Sequence, residues 1–334
     1  MERPCVRTRR EAGERTRTTL AEADLVDESY QIVVDDGNIY LPVTDADAAE
    51  REGFDVVYRD VPAHDTQRTP ADLLGFDPSY ERLGDVAIVD ETDPGRAERI
   101  ADAILGSDLP VRAVLDRASK VKGDHRVRDW TVLAAEDRDG RPPTELVHRE
   151  YGFEYVLDLS TVYFSPRLAT ERHRVTERAT AGERAVDMFA GVGPFVVPMA
   201  ARDATVVGVD LNPSAVEYLR ENARRNGVEK RVTAINGDVR EVATDHVGGA
   251  DRIVMNLPHS ADDFLDAAVT LAGDDCTLHY YDIQHEDDPF GPGERAVREA
   301  AAAEGYDIEV LTRHVVRSYA PHELNVCLDV RLSR

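Results

Sequence analysis

The second half of the chain alternates apolar runs of strand length with amphipathic runs of helical period. The predicted strands cover residues 185–189, 205–210, 231–236, 251–256 and 276–283. The predicted helices cover residues 192–201, 212–227, 239–243, 261–272 and 293–305. Strands that alternate with helices are typical of a doubly wound, mostly parallel sheet with right-handed crossovers. The last two strands, 307–316 and 323–332, are joined by a short turn, so we expect an antiparallel pair at one edge.

The helix over residues 212–227 has well-marked ends. Asn212 is a suitable N-cap, and Pro213 fits the first helical position because its missing N–H is not needed there. Gly227 is the expected stop, since helices commonly end at a residue with positive φ.

The first 160 residues lack this regular alternation. Residues 1–62 combine a helical pattern with two short strands, and residues 79–160 mix both patterns. A polar connector lies between them near residues 63–78. We therefore expect a small module over residues 1–62, an α+β domain over residues 72–160 and the doubly wound domain over residues 161–334.

The net charge of −25 would by itself argue against a nucleic-acid partner. The acidic residues are spread along the whole sequence, however, and the basic residues are almost all arginine, apart from Lys120, Lys122 and Lys230. This pattern is typical of a halophilic protein, whose acidic surface works in salt that screens charges over short distances. The net charge therefore says more about habitat than about the partner.

The remaining composition excludes several classes of protein. The three cysteines, Cys5, Cys276 and Cys327, lie far apart without metal-ligand spacing, so we expect a reduced compartment and no metal site. No apolar run is long enough to span a membrane, and the N-terminus lacks the apolar core of a secretory signal. We expect a cytoplasmic protein.

Four predicted strand ends carry residues that suit one nucleoside ligand. At the first, Gly191, Val192 and Gly193 form a loop whose missing side chains let a ligand lie against the backbone. Asp210, about twenty residues on, is placed to accept hydrogen bonds from a ribose. Asp238 follows the next strand and is a candidate acceptor for the exocyclic amine of adenine, and Asn256 follows the fourth.

A nicotinamide dinucleotide or ATP fits this pattern poorly. The third glycine of the dinucleotide motif is replaced by Val196, and Pro194 directly follows the second glycine. No lysine-containing phosphate loop occurs. Acceptors for ribose and adenine without a phosphate-binding device point to S-adenosylmethionine as the cofactor.

Several motifs resemble one family along essentially the whole chain. They are PCVRTRREAGERTRTTLAEADL, YFSPRLATERHRV, VDMFAGVGPF, VDLNPSAVEYLRENARRN, NGDVREV, MNLPHSADDFLDAAV and RSYAPHELNVCLDV. They look like the archaeal/eukaryotic-type tRNA (guanine-37-N1)-methyltransferases. The resemblance implies a Rossmann-like class I methyltransferase domain with a mostly parallel seven-stranded sheet, and tRNA as the substrate.

Methylation at guanine N1 needs a base that removes the N1 proton and a donor that stabilises charge on O6. The resemblance implies Glu171 as the general base and Arg126 or Arg128 as the O6 donor, with Arg126 favoured. It implies that Asn256 holds the base edge, and that Tyr163 and Pro258 pack against the extruded guanine. Without the motif, Glu171 would be read as a surface ion pair, and the two arginines as a solvated strand face.

The resemblance also implies further contacts. Those to the cofactor are Arg167, Arg172, Phe189, Leu211, Val239 and Pro258. Those to RNA are Arg7, Arg9 and Arg10 in the first module, together with Lys120, Lys122, Arg126 and Arg128. The first module is then expected to touch the outer corner of the tRNA, and the alternative is a stabilising cap. We expect a monomer.

Three other functions are alternatives to this one. Relatives on the same fold transfer the aminocarboxypropyl group of S-adenosylmethionine during wyosine-base synthesis, and the sequence Asn256-Leu257-Pro258 favours methyl transfer over that reaction. A methyltransferase with a non-tRNA substrate would not need residues 1–160. A nicotinamide-dependent dehydrogenase is disfavoured by the missing third glycine.

Overall fold

A computed structural model describes residues 2–63, 67–123, 125–137 and 139–334. The chain forms two compact units, Met1–Thr69 and Pro70–Arg334. Part of the predicted connector, residues 64–66, lies outside the described residues. Among the described helices, none has the length and apolar character needed to cross a bilayer.

The first unit is a four-stranded antiparallel sheet in the order β2-β3-β1-β4, with two helices. Its elements are β1 (Glu2–Arg9), α1 (Gly13–Glu22), β2 (Val33–Asp35), β3 (Asn38–Pro42), α2 (Ala46–Arg51) and β4 (Val56–Asp60). The sequence did not predict β1, although it is central to this sheet. Only Cys5 and Val6 are fully buried in β1, so polar residues mask its strand pattern.

The second unit begins with a four-stranded mixed sheet, in the order β5-β6-β7-β8, and a separate hairpin of β9 and β10. The elements are α3 (Pro70–Leu74), β5 (Tyr80–Leu83), β6 (Val86–Val89), α4 (Pro94–Gly106), β7 (Ala113–Arg117), β8 (Trp130–Ala135), β9 (Glu145–Glu150) and β10 (Phe153–Asp158). The division of this unit at residue 160 stays a prediction. Its largest hydrophobic cluster runs across that position, from Leu83 to Cys327.

The doubly wound sheet has seven strands in the order β13-β12-β11-β14-β15-β17-β16. The elements are α5 (Ala169–Thr176), β11 (Arg184–Asp187), α6 (Val196–Ala201), β12 (Thr205–Asp210), α7 (Pro213–Arg225), β13 (Val232–Asn236), α8 (Val239–Val242), β14 (Ala250–Met255), α9 (Leu265–Leu271), β15 (Ala272–His285), α10 (Gly291–Ala303), β16 (Asp307–Ala320) and β17 (Glu323–Ser333). The predicted fold class is confirmed, including the antiparallel pairing of the last two strands. Strand β17 lies between β15 and β16, so it alone runs against the other six.

The two faces of this sheet pack into separate hydrophobic clusters because successive side chains of a strand point to opposite sides. On β11, Ala185 packs into one cluster and Val186 into the other. The order of the strands reverses between β11 and β14. The edge beyond their carboxyl ends is therefore the expected position for a ligand.

Helix α7 begins as the sequence predicts. The Asn212 side chain caps it by accepting from the Ser214 N–H at 3.0 Å, and Gly227 follows with a φ of 70°. Its inner face buries Val216 and Leu219, and each such side chain contributes roughly 1.5–3 kcal/mol through apolar burial.

A fully buried side chain on this helix, Asn222, ties three segments together. Its carbonyl oxygen accepts from the Val156 N–H at 2.7 Å, and its amide donates to the carbonyl oxygens of Val156 at 3.1 Å and Val192 at 2.9 Å. Asn222 thus joins α7 to β10 and to the glycine loop.

We expect Asn222→Ala to destabilise the protein by about 3 kcal/mol, because it leaves three buried backbone groups without partners. Chemical denaturation of both proteins measures this difference. Glu217→Ala, on the exposed face of the same helix, is the control and should change the free energy of unfolding by less than about 0.5 kcal/mol. Equal stabilities for the two variants would contradict the role given to Asn222.

Candidate active site

The glycine loop and Asp210 meet at the switch point of the sheet. The Gly191 N–H donates to Asp210 Oδ2 at 2.7 Å, and the Asn212 N–H donates to Oδ1 at 2.8 Å. Asn236, at the end of β13, donates to the backbone oxygens of Asp210 and Leu211, both at 3.0 Å. Burial raises the pKa of Asp210, and the hydrogen bonds from the Asn212 and Gly191 N–H groups partly offset that effect. The predicted convergence of the first two strand ends is therefore observed.

The two glycines of the loop serve different purposes. Both have positive φ, 52° at Gly191 and 92° at Gly193. A Cβ at Gly191 would meet open space, so this residue leaves room for a ligand against the backbone. A Cβ at Gly193 would lie 2.4 Å from Leu219 Cδ1, so this glycine is needed for the packing of α7.

Asp187, the last residue of β11, is a candidate site residue that sequence reasoning missed. It is completely buried, and burial raises the pKa of its carboxyl to about 7. Oδ1 accepts from the Phe189 N–H at 3.2 Å, while Oδ2 has no partner among the described residues. A buried carboxylate oxygen without a donor fits a cationic group, such as the ammonium of an amino-acid ligand. The available signal was a carboxylate inside an apolar run, directly before the glycine loop.

The other predicted cofactor contacts lie around the same edge. Asp238 is the N-cap of α8, where it accepts from the Arg240 N–H at 2.9 Å, and it also pairs with the Arg240 side chain. Phe189 packs edge-on against Phe264, with the two ring centres 5.0 Å apart. Leu211 is half exposed and Val239 is buried.

Asn256 directly follows β14, and its partly exposed side chain makes no hydrogen bond to any described residue. Two residues on, the Pro258 carbonyl accepts from the Ile283 N–H at 3.2 Å and fixes the turn. The Nε2 atom of His259 lies 3.1 Å from the Tyr319 hydroxyl. Partial burial and the nearby charge of Arg126 lower the pKa of His259. Arg126 therefore lies within electrostatic range of His259.

Arg126 and Arg128 occupy the connection between β7 and β8 and not a continuous strand face. An isolated antiparallel bridge pairs Lys122 with Val127, and Arg126 has a φ of 53°. Residues other than glycine rarely adopt such a backbone conformation, and those that do are often found at functional sites. The Arg126 guanidinium lies 5.6 Å from the ring centre of Tyr163, and that of Arg128 lies 5.5 Å from Trp130.

These arginines line a pocket of about 330 Å³. It brings together four of the predicted site residues, namely Arg126, Arg128, Tyr163 and Arg167. Arg117 and Arg317 also line it, together with the acids Glu81 and Asp90. We call this group the arginine pocket.

Glu171 is buried, and each of its carboxylate oxygens accepts at least one hydrogen bond. Oε1 accepts from Arg174 Nη2 and from the Tyr281 hydroxyl, each at 2.8 Å. Oε2 accepts from Arg174 Nε at 2.7 Å and lies 3.2 Å from His314 Nε2. Tyr280 pairs with Met255 in the sheet, so Tyr281 lies level with Asn256 on the neighbouring strand. Glu171 thus approaches the end of β14 from α5.

Arg172 points to a different environment. It forms a buried ion pair with Glu150, from Nε at 2.8 Å and Nη2 at 2.5 Å, and Nη1 donates to the Ser165 carbonyl at 3.0 Å. This pair holds α5 against β9. A contact of Arg172 with the cofactor stays a prediction.

A chain of paired ionisable side chains continues from Glu171 into the protein. Arg174 also donates to Asp329 Oδ2 at 2.6 Å, and Asp329 Oδ1 lies 2.6 Å from His279 Nδ1. Burial alone would raise the pKa of Asp329, but hydrogen bonds with His279 and Arg174 outweigh it and hold the pKa below its usual range. His279, Cys327 and Asp329 lie close enough to hold a metal ion. Both ring nitrogens of His279 are engaged, however, since Nε2 contacts Arg252 at 2.6 Å.

The sheet order and the glycine loop at its switch point define a class I methyltransferase domain. A family described as the TRM5/TYW2 methyltransferase domain matches residues 146–311, and the tRNA methyltransferase 5 N-terminal domain matches residues 5–50. The chain is 39% identical to the tRNA (guanine(37)-N(1))-methyltransferase Trm5b of Pyrococcus abyssi, over 96% of both sequences. The protein belongs to the Trm5 family, as its motifs indicate.

Two further similarities bear on the reaction. A solved complex of aTrm5 with tRNALeu has a TM-score of 0.75 and 30% identity, and covers 98% of this chain and 99% of that one. The tRNA(Phe) (4-demethylwyosine(37)-C(7)) aminocarboxypropyltransferase of Pyrococcus horikoshii is 32% identical over 80% of this chain and 94% of its own. The similarity to the methyltransferases therefore covers more of this chain than the similarity to the aminocarboxypropyltransferase.

We expect Asp187→Asn to stabilise the ligand-free protein more at pH 8 than at pH 5. The raised pKa means that the wild type binds the Asp187 proton in the folded state up to about pH 7 but loses it near pH 4 when unfolded. Wild-type stability therefore falls as the pH rises between these values, by up to about 4 kcal/mol, and the asparagine variant lacks this loss. Denaturation at constant salt measures the difference, and a pH-independent difference would contradict it.

Proposed function

We propose that this protein transfers the methyl group of S-adenosylmethionine to N1 of guanine 37 in tRNA. The observation that carries the proposal is the meeting of the glycine loop, Asp210 and Asn256 at one sheet edge, with Glu171 approaching from α5. Membership of the Trm5 family and the similarity along nearly the whole chain support the substrate.

The residues at the ligand-binding edge have the chemistry that the cofactor requires. Asp210 is the acceptor for the ribose, and the space beside Gly191 admits the nucleoside. The unpartnered Oδ2 of Asp187 suits the ammonium of the methionine part, and Asp238 is the candidate acceptor for the adenine amine. When bound, S-adenosylmethionine supplies an electrophilic methyl group on a positively charged sulfur.

Guanine N1 carries a proton at neutral pH, so the reaction requires a base at that atom. Glu171 is the proposed base, but all four of its lone-pair positions are directed at donors or at His314. His314 is the partner most easily displaced, because 39% of its side chain is exposed and it lies farthest from the carboxylate. We infer that the guanine N1–H replaces His314 at Oε2, while Arg174 and Tyr281 hold the carboxylate in place.

Charge that develops on guanine O6 needs a positioned cation. Arg126 is the better candidate of the two arginines because its charge reaches His259, three residues from Asn256, and its guanidinium faces Tyr163. Asn256 would hold the base edge, and Tyr163 would stack on the extruded ring. Extrusion costs little in a single-stranded loop, where the base is not paired.

The wider interaction with tRNA is also part of the proposal. Residues Arg7, Arg9 and Arg10 of the first unit would contact the outer corner of the tRNA. The domain match over residues 5–50 supports this assignment. The protein would act as a monomer in the cytoplasm.

The experiment that tests the proposal is incubation with a tRNA transcript carrying G37, followed by nucleoside analysis. We expect 1-methylguanosine, which adds about one methylene to the mass of the nucleoside. We expect Glu171→Gln to reduce the rate by about 10²–10⁴-fold, the usual contribution of a positioned base. Asn256→Ala should lose activity through misplacement of the base.

The matched control is Glu177→Gln, at the exposed end of the same helix, which should keep wild-type turnover. Cofactor binding should be retained in Glu171→Gln, which separates loss of the base from loss of the fold. Equal turnover of Glu171→Gln and the wild type would reject Glu171 as the base. An aminocarboxypropyl adduct in place of a methyl group would reject the proposed reaction.

A further inference from the structure

The arginine pocket carries an excess of positive charge in a strongly acidic protein. Five arginines line it against two carboxylates, Glu81 and Asp90, whereas the whole chain has a net charge of −25. The pocket therefore differs in sign from the rest of the protein. A concave surface of one charge sign concentrates ligands of the opposite sign.

The two acids do not neutralise the whole pocket. Glu81 pairs with Arg117 at 2.7 Å and with Arg167 at 3.5 Å, and Asp90 pairs with Arg117 at 3.4 Å. By contrast, Arg128 and Arg317 make no ion pair with any residue that the structure describes. The Nε of Arg317 is buried without a hydrogen-bond acceptor among them.

This arrangement is unfavourable for the empty protein. Burial and the neighbouring charge of Arg117 lower the pKa of Arg128, which reflects the free-energy cost of placing its charge there. A buried guanidinium N–H without an acceptor adds a further cost. An anion between Arg128 and Arg317 would remove both costs.

The walls of the pocket indicate which kind of anion fits. Trp130 and Tyr163 are aromatic surfaces with arginines over them, an arrangement that suits bases of single-stranded RNA. The volume of about 330 Å³ exceeds that of a phosphate alone and leaves space for a ribose or base. Tyr163 and Arg126 also place the pocket next to the candidate position of the target guanine.

We propose that the arginine pocket is a subsite for the RNA backbone beside the target nucleotide, with a phosphodiester held between Arg128 and Arg317. This rests on the proposed function, since it takes RNA as the substrate. Arg126 is then the donor that faces guanine O6, and Arg128 binds phosphate. The subsite explains how a protein with this net charge holds an anionic loop.

The first test is the salt dependence of tRNA binding by Arg317→Gln. We expect its affinity to fall about tenfold, as for loss of a charged hydrogen bond. We expect the slope of log affinity against log salt to decrease by about 0.7–1, the change for one phosphate contact. Arg317→Lys keeps the charge and should keep the slope.

The matched control is Arg313→Gln, four residues earlier on the same strand. Its exposed side chain pairs with Glu294, away from the pocket, so it should bind tRNA like the wild type. S-adenosylmethionine binding and the melting temperature of each variant are measured to establish that the variant is folded. Equal affinities and slopes for Arg317→Gln and Arg313→Gln would overturn the proposal.

The second test neutralises the RNA partner. tRNAs carrying one methylphosphonate, either 5′ or 3′ to nucleotide 37, remove a single backbone charge. We expect the wild type to bind one of these neutralised tRNAs more weakly than unmodified tRNA. We expect Arg317→Gln to bind that neutralised tRNA and the unmodified tRNA equally well. Equal losses for both proteins at both linkages would overturn the subsite.

The outcome is separable from that of the proposed reaction. Wild-type protein that forms no 1-methylguanosine yet shows the linkage-specific loss would reject the reaction and retain the RNA subsite. Formation of 1-methylguanosine without any such loss would retain the reaction and reject the subsite.

Discussion

The catalytic domain depends on one constraint of parallel sheets, which is that the carboxyl ends of neighbouring strands finish at the same edge. Strands β11 and β12 end in Asp187 and Asp210, and Asn256 directly follows β14. The hydrogen bond from the Gly191 N–H to Asp210 joins the first two strand ends. Asn222 holds the glycine loop from behind through the Val192 carbonyl. The open space at Gly191 is therefore fixed by hydrogen bonds of the fold and exists before any ligand binds.

A second feature is the amount of charge buried beneath that edge. Glu171, Arg174, Asp329 and His279 form a continuous series of contacts from the proposed base into the sheet. Buried charges are costly unless each is paired, and here each has its partners. Such a network fixes the position of the Glu171 carboxylate and limits its freedom, so the displaceable contact with His314 is the natural route for a proton acceptor to become available.

The arginines show why net charge is a poor guide to the partner of this protein. An acidic surface spread over the whole chain coexists with a local surplus of positive charge around Trp130 and Tyr163. Binding of an RNA loop depends on the field at the contact, which falls off within about a Debye length. The proposed RNA subsite therefore depends on where a few guanidinium groups lie and not on the net charge of the chain.

The sequence by itself determined the doubly wound sheet, the caps of α7 and the family, because these depend on local periodicity, capping residues and contiguous motifs. It did not reveal β1, whose burial depends on neighbours far along the chain, nor the orphaned carboxylate of Asp187. The roles of the individual site residues remain predictions, and only the tertiary structure decided which of them lie together. The tertiary structure pairs Arg172 with Glu150 and brings Arg317 into the arginine pocket. Contacts between residues more than twenty positions apart arise from how the strands and helices pack, and no local pattern records them.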